Sequence, residues 1–163
     1  MISAELTEFI ESGLSMLVGT RDARLVPECV RPVGVRVEKG GREVTVFLAA
    51  ATSATSIANL ADNGRIAMCV SRPVDHRTVQ LKGRLVSSAL ATESDRAAVE
   101  RHRKGFAATL AYVGVPPRLT LRMSHWPSHA VRFRVESLFD QTPGPGAGAE
   151  IKKGAAPRKG AHG

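Results

Sequence analysis

The 163-residue sequence has no apolar run of the roughly 18 to 20 residues that a membrane-spanning helix needs. Its first residues, MISAELTEFIES, are acidic and amphipathic instead of basic and then apolar, so no secretory leader is read there. Together these absences lead to the expectation of a cytoplasmic protein. Cysteine is nearly missing: Cys29 and Cys69 are the only two, each inside a strand-like apolar pattern, which excludes a disulfide framework and a closely spaced thiolate pair for a metal. Both are expected to be reduced thiols in the core. The five histidines show no ligand spacing, so no metal site is expected. There is no glycine-rich dinucleotide fingerprint and no Ser-His-Asp set in a distinguishing turn context, and no catalytic residue is assigned.

What is present is enough for one core. With 43% hydrophobic residues the chain suits one domain and is too short for two ordinary ones. The formal charge of +8 is uneven: residues 141–163 carry Lys152, Lys153, Arg158 and Lys159 against Glu150, a net +3, which leaves +5 for the rest. Arginine dominates that remainder, with Arg31, Arg36, Arg65, Arg72, Arg77 and Arg84 in or beside strand patterns. A planar guanidinium can grip phosphate with two parallel hydrogen bonds, so a phosphorylated ligand fits this usage; solvated arginines reflecting genomic base composition are the other reading.

Periodicity orders the elements. Ser3 caps a short helix that carries Leu6, Phe9 and Ile10 at helical spacing and stops at Gly13. LSMLVGT reads as a strand, and LVPECVRPVGVRVEK as a long second strand interrupted by Pro27, Pro32 and Gly34. Gly40-Gly41 makes a hairpin turn to EVTVFLA. A hydroxyl-rich loop with Thr52, Ser53, Thr55 and Ser56 leads into a short helix ending at Asn63-Gly64, then the strands RIAMCVSR and TVQLKGRLVSSAL. Thr92 and Asp95 form a capping-box start for a long helix with Val99, Phe106, Leu110 and Val113 on one face; Gly114 and Pro116-Pro117 end it. HAVRFRVESLF is the last strand. Beyond Gln141 there is little to bury, so a domain over 1–140 and a disordered Gly/Pro/Lys-rich tail over 141–163 are expected. The predicted architecture is mainly β with α-helices, a six-stranded antiparallel barrel that closes its own edges.

Three stretches resemble a known family. RPVGVR places Arg31 and Arg36 five apart on a strand; FLAAATSATSIANLADNGRIAMCV joins a strand, a polar loop and a short helix; TVQLKGRLV follows with its glycine. Over about residues 6–139 the chain is similar to the FMN-binding split barrels typified by pyridoxamine 5'-phosphate oxidase. The resemblance implies a homodimer with flavin sites at the subunit interface. It implies further that Arg31 and Arg36 grip the phosphate and ring edge, that Thr52, Ser53, Thr55 and Ser56 bond phosphate oxygens, and that Thr78 lies near the isoalloxazine. A helix amino terminus after the loop also favours an anion. The sequence departs from the family pattern at Thr55-Ser56, where an Arg-Lys pair is usual, and it lacks the carboxy-terminal arginine and histidine cluster of the vitamin B6 enzyme. Helix capping is the plain alternative for the four hydroxyls.

Trp126, in RMSHWPSHAV, could flank a planar cofactor ring or pack at the barrel end; His102 reads as a boundary residue of the long helix. The function expected is an FMN-dependent oxidoreductase acting on an unknown small molecule. Within the fold the alternatives are a deazaflavin reductase or a haem protein with a ligand such as His125; outside enzymes, the alternative is a flavin-binding module without catalysis. No membrane partner is expected, and the basic tail offers nucleic acid only weak, salt-dependent contact.

Overall fold

The computed structural model describes residues 2–152. Helix α1 (Ala4–Glu11) starts where Ser3 Oγ accepts from the Leu6 N–H at 3.2 Å. Strands β1 (Ser15–Arg21) and β2 (Pro27–Val30) are antiparallel neighbours, as are β3 (Gly34–Val37) and β4 (Glu43–Ala49). Then come α2 (Ala54–Asn63), β5 (Arg65–Ser71), β6 (Thr78–Leu90), α3 (Arg96–Ala111), α4 (Pro117–Thr120), β7 (Ser128–Asp140) and the two-residue β8 (Ala149–Glu150). All eight strands belong to one curled antiparallel sheet ordered β2-β1-β5-β6-β7-β4-β3, with β8 added on β7. The molecule is a mainly β split barrel.

The strand count exceeds the expected six for two reasons. The long second strand is broken: Pro32 has no N–H for a ladder, and Val33 instead donates to the Phe47 carbonyl at 2.8 Å, so β2 and β3 lie at opposite ends of the sheet order. The second addition is β8. It pairs with β7, Ile151 packs on the core, and Thr142 Oγ1 accepts from the Thr78 N–H at 3.1 Å, so structure continues past the boundary expected at residue 140. The rest of the expected tail, residues 153–163, lies outside the described residues.

Alternation sorts the sheet into two faces. Met16 and Val18 of β1, Met68 and Val70 of β5, and Val79 and Leu81 of β6 point inward with Leu6 and Ile10 of α1 and Leu60 of α2. Burying each such side chain contributes roughly 1.5–3 kcal/mol. A second cluster, Val33, Phe47, Ala49, Ala98 and Val99, lies on the other face of β4, which α3 covers. Hence β4 is buried on both faces. The Asn63-Gly64 stop and the Thr92-Asp95 capping box form as read. The long helix ends earlier, at Ala111, which leaves Val113 exposed. The cysteine expectation is corrected: Cys29 is exposed and Cys69 half-buried, because their neighbours along the strand, Val30 and Met68, take the inward positions and alternation turns the cysteines to the other face. Among the described residues no helix is long and apolar enough to cross a membrane.

Candidate functional site

The junction between β4 and α2 carries the four hydroxyls. It turns through a 3₁₀ segment, Ala50–Thr52, held by the Ala50 N–H donating to the Pro127 carbonyl at 2.9 Å. Thr52 and Thr55 face solvent, while Ser53 and Ser56 are fully buried and their hydroxyls have no partner. None of the four caps the helix. Ser53 stands at the cap position with φ −116° and ψ 8°, away from the extended geometry of a side-chain cap, and makes no such bond; Thr52 Oγ1 reaches only its own turn, at Ala49 O, 3.4 Å. No acidic residue lies in the first turn. The first backbone N–H groups of a helix have no intrahelical acceptor, so the start of α2 gathers free donors at the positive end of its dipole. The other end is anchored: Asn59 Nδ2 donates to Thr20 Oγ1 at 3.1 Å and Asn63 Nδ2 to the Arg21 carbonyl at 2.7 Å.

The other predicted residues separate into groups. Trp126 adjoins the hydroxyl loop through Pro127, packs against the Phe47 cluster, and has the Arg96 guanidinium 4.9 Å above its ring. Arg36, on β3, donates to Asp95 at 2.8 Å and Glu38 at 3.1 Å and lies over the Phe47 ring. Burial would raise the Asp95 pKa, but the bonds from Arg36 and Thr92 outweigh it and hold the carboxyl below its usual range. Arg31 donates to Ser15 Oγ at 3.1 Å and lies over the Phe106 ring of α3. Ser15 pairs in register with Ser71, Ser71 pairs with Thr78, and the two hydroxyls of that second pair are 2.8 Å apart. Arg31 and Thr78 therefore belong to one polar row on the outer face of the sheet. Arg36 stands apart from that row, at the head of α3.

His102 is no boundary residue of the long helix, as its spacing suggests, but part of the packed interior. It is buried on α3, stacked on Phe106 with ring centres 5.9 Å apart, and its Nδ1 has no partner. Burial, with a smaller contribution from the Arg31 charge, lowers its pKa to about 4, so it is neutral at physiological pH. Thr120, across the same cleft, also has a buried hydroxyl without a partner. The only available signal was His102's position three residues after Val99 and four before Phe106 on the apolar stripe. His125 Nε2 lies 3.4 Å from Glu100, and no cluster of three metal-ligating side chains exists among the described residues.

No protein-family model matches the chain, and no curated protein matches its sequence. Its fold does match solved structures. HupZ of Group A Streptococcus is 19% identical, with a TM-score of 0.57 over 91% of this chain and 100% of that one. An F420 reductase is 13% identical, with a TM-score of 0.53 over 80% of this chain and 93% of its own. An FMN-binding protein of Syntrophomonas wolfei subsp. wolfei is 12% identical, with a TM-score of 0.52 over 81% and 80%. At these identities the likeness establishes the fold alone, a split barrel.

Proposed function

We propose that the chain is an FMN-binding protein that works as a flavin-dependent oxidoreductase on a small molecule. One observation carries the reading: four hydroxyl residues surround the start of α2 and none of them caps it. The phosphate would sit at the free N–H groups of that turn, with the exposed Thr52 and Thr55 hydroxyls as further donors. The Ser53 and Ser56 hydroxyls of the same segment are buried and unpartnered, so it holds unused donors that fit an anion. No cation sits in the first turn. A hydrogen bond to a charged group contributes about 1.5–3 kcal/mol and a neutral one about 0.5–1.5, so each exchange costs roughly 1–1.5 kcal/mol and makes this a weaker phosphate seat than one with an Arg-Lys pair.

Once bound, the flavin supplies hydride or electron transfer; the chain's own part is to bind and orient it. The outer face of β1, β5 and β6 supports a homodimer, because register sets exposed Leu17 beside Cys69, Cys69 beside Gln80 and Gln80 beside Phe139. Arg31 and Thr78 flank that row and would border a site shared with the partner.

The test compares FMN with riboflavin, which lacks the phosphate, by fluorescence quenching. FMN should bind at least about tenfold tighter, and Thr52→Val with Thr55→Val should narrow the difference, leaving the part the backbone N–H groups supply. Equal affinity for the two flavins in the parent protein removes the phosphate from α2. Binding of F420 without binding of FMN assigns the fold to a deazaflavin instead.

A further inference from the structure

At the far end of the outer face lies a depression of about 310 Å³ between β1, β5 and β6. Gly19 and Ala67, partners in register, form its floor, the Gly83 backbone lines it, and Arg21, Arg65, Lys82 and Glu136 stand around them. The hollow is real space: a Cβ built on Gly19 would meet no atom within 4 Å, and the backbone there is not left-handed. Nothing in the local conformation requires glycine at that position, so its effect is to keep the floor low.

The charges around it do not balance. Register sets Arg65 directly beside Arg84, and Arg84 directly beside Arg134, a ladder of like charges that destabilises a sheet unless something compensates it. Two carboxylates compensate part of it. Glu136 lies 3.6 Å from Arg84, and Glu43 holds Arg134 at 3.2 Å together with Arg132. Arg65 and Lys82 have no ion pair among the described residues; Lys82 instead lies 4.7 Å above the Phe139 ring. Arg21 donates only to the Asp22 carbonyl. Residues 153–163 contain no Asp or Glu that could reach back.

We propose that this depression binds a phosphate-bearing ligand, with Arg65 and Lys82 as its charge partners and Arg21 closing the rim. Guanidinium presents paired donors to a tetrahedral anion, and the volume admits a diphosphate-sized group. The site is separate from the start of α2: Asn63, at that helix's carboxy-terminal end, holds the Arg21 carbonyl, and ten helical residues put roughly 15 Å between the two ends. It therefore stands whether or not FMN is the cofactor.

Pyrophosphate is the probe, followed through backbone amide shifts and calorimetry. Shifts should centre on Gly19, Ala67 and Gly83. Arg65→Gln and Lys82→Gln should each weaken binding about tenfold, with FMN affinity unchanged. Gly19→Leu should block pyrophosphate while the protein melts as the parent does, a control for unfolding. Arg65→Gln alone, which relieves the ladder, should melt no lower than the parent. The proposal fails if pyrophosphate does not bind, if both charge variants bind it as the parent does, or if the shifts centre on Thr52 and Thr55. A DNA duplex that binds this face where pyrophosphate does not would likewise overturn it.

Discussion

Gly105 of α3 lies so close to Gly13 in the α1–β1 turn that a Cβ on Gly13 would stand 2.5 Å from the Gly105 Cα, and one on Gly105 would stand 3.0 Å from the Gly13 Cα. Thr109 Oγ1 donates to the Gly13 carbonyl at 3.3 Å in the same contact. The helix that buries the outer face of β4 is seated by two missing side chains. Gly105→Ala should cost about 1–3 kcal/mol in urea unfolding, as overpacked contacts do. Gly13→Ala should cost more, because its φ of +77° adds backbone strain. Equal stability for Gly105→Ala and parent would mean that α3 is not seated there.

Arg36 and Asp95 join β3 to the head of α3, and Asp95 is also the capping-box carboxylate. A double-mutant cycle with Arg36→Ala and Asp95→Ala should give a coupling of roughly 1 kcal/mol, modest because the guanidinium is partly exposed. Strict additivity would show that the pair holds nothing.

His102 gives the fold an acid limit. Its pKa falls from 6.5 to about 4 on folding, so between those values the unfolded chain binds the extra proton and stability drops as pH falls. The loss approaches about 3 kcal/mol at the low end of the window. Above pH 6.5 the slope fades, as the unfolded imidazole also loses its proton. His102→Asn should flatten the stability curve between pH 6.5 and 4, and an unchanged curve would show that the imidazole titrates normally.

Leu17 is 44% exposed at the centre of the outer face. If that face joins two copies, Leu17→Asp should shift the protein to monomer in analytical ultracentrifugation and weaken flavin binding together with assembly. A variant as dimeric as the parent would place the interface elsewhere.

Much of this architecture is legible in the residue pattern. Period-two alternation names the strands, Gly40-Gly41 names the hairpin, Thr92 with Asp95 names the helix start, and Asn63-Gly64 names a stop, because each rests on neighbours a few residues apart. Where alternation separates two faces, it does not say which is buried; Cys29 and Cys69 fit a core position by pattern and face out in the fold.

Pairing across the fold decided the rest. The residue order could not show that β2 and β3 sit at opposite ends of the sheet, since one proline between them permits either a bulge or a break. The loop composition pointed to an anion, yet only the folded chain divides its hydroxyls into an exposed pair, Thr52 and Thr55, and a buried pair, Ser53 and Ser56. The same holds for the arginines: composition counts them, but whether a guanidinium meets a carboxylate, as Arg36 does, or a like charge, as Arg65 does, depends on partners brought together from distant parts of the chain.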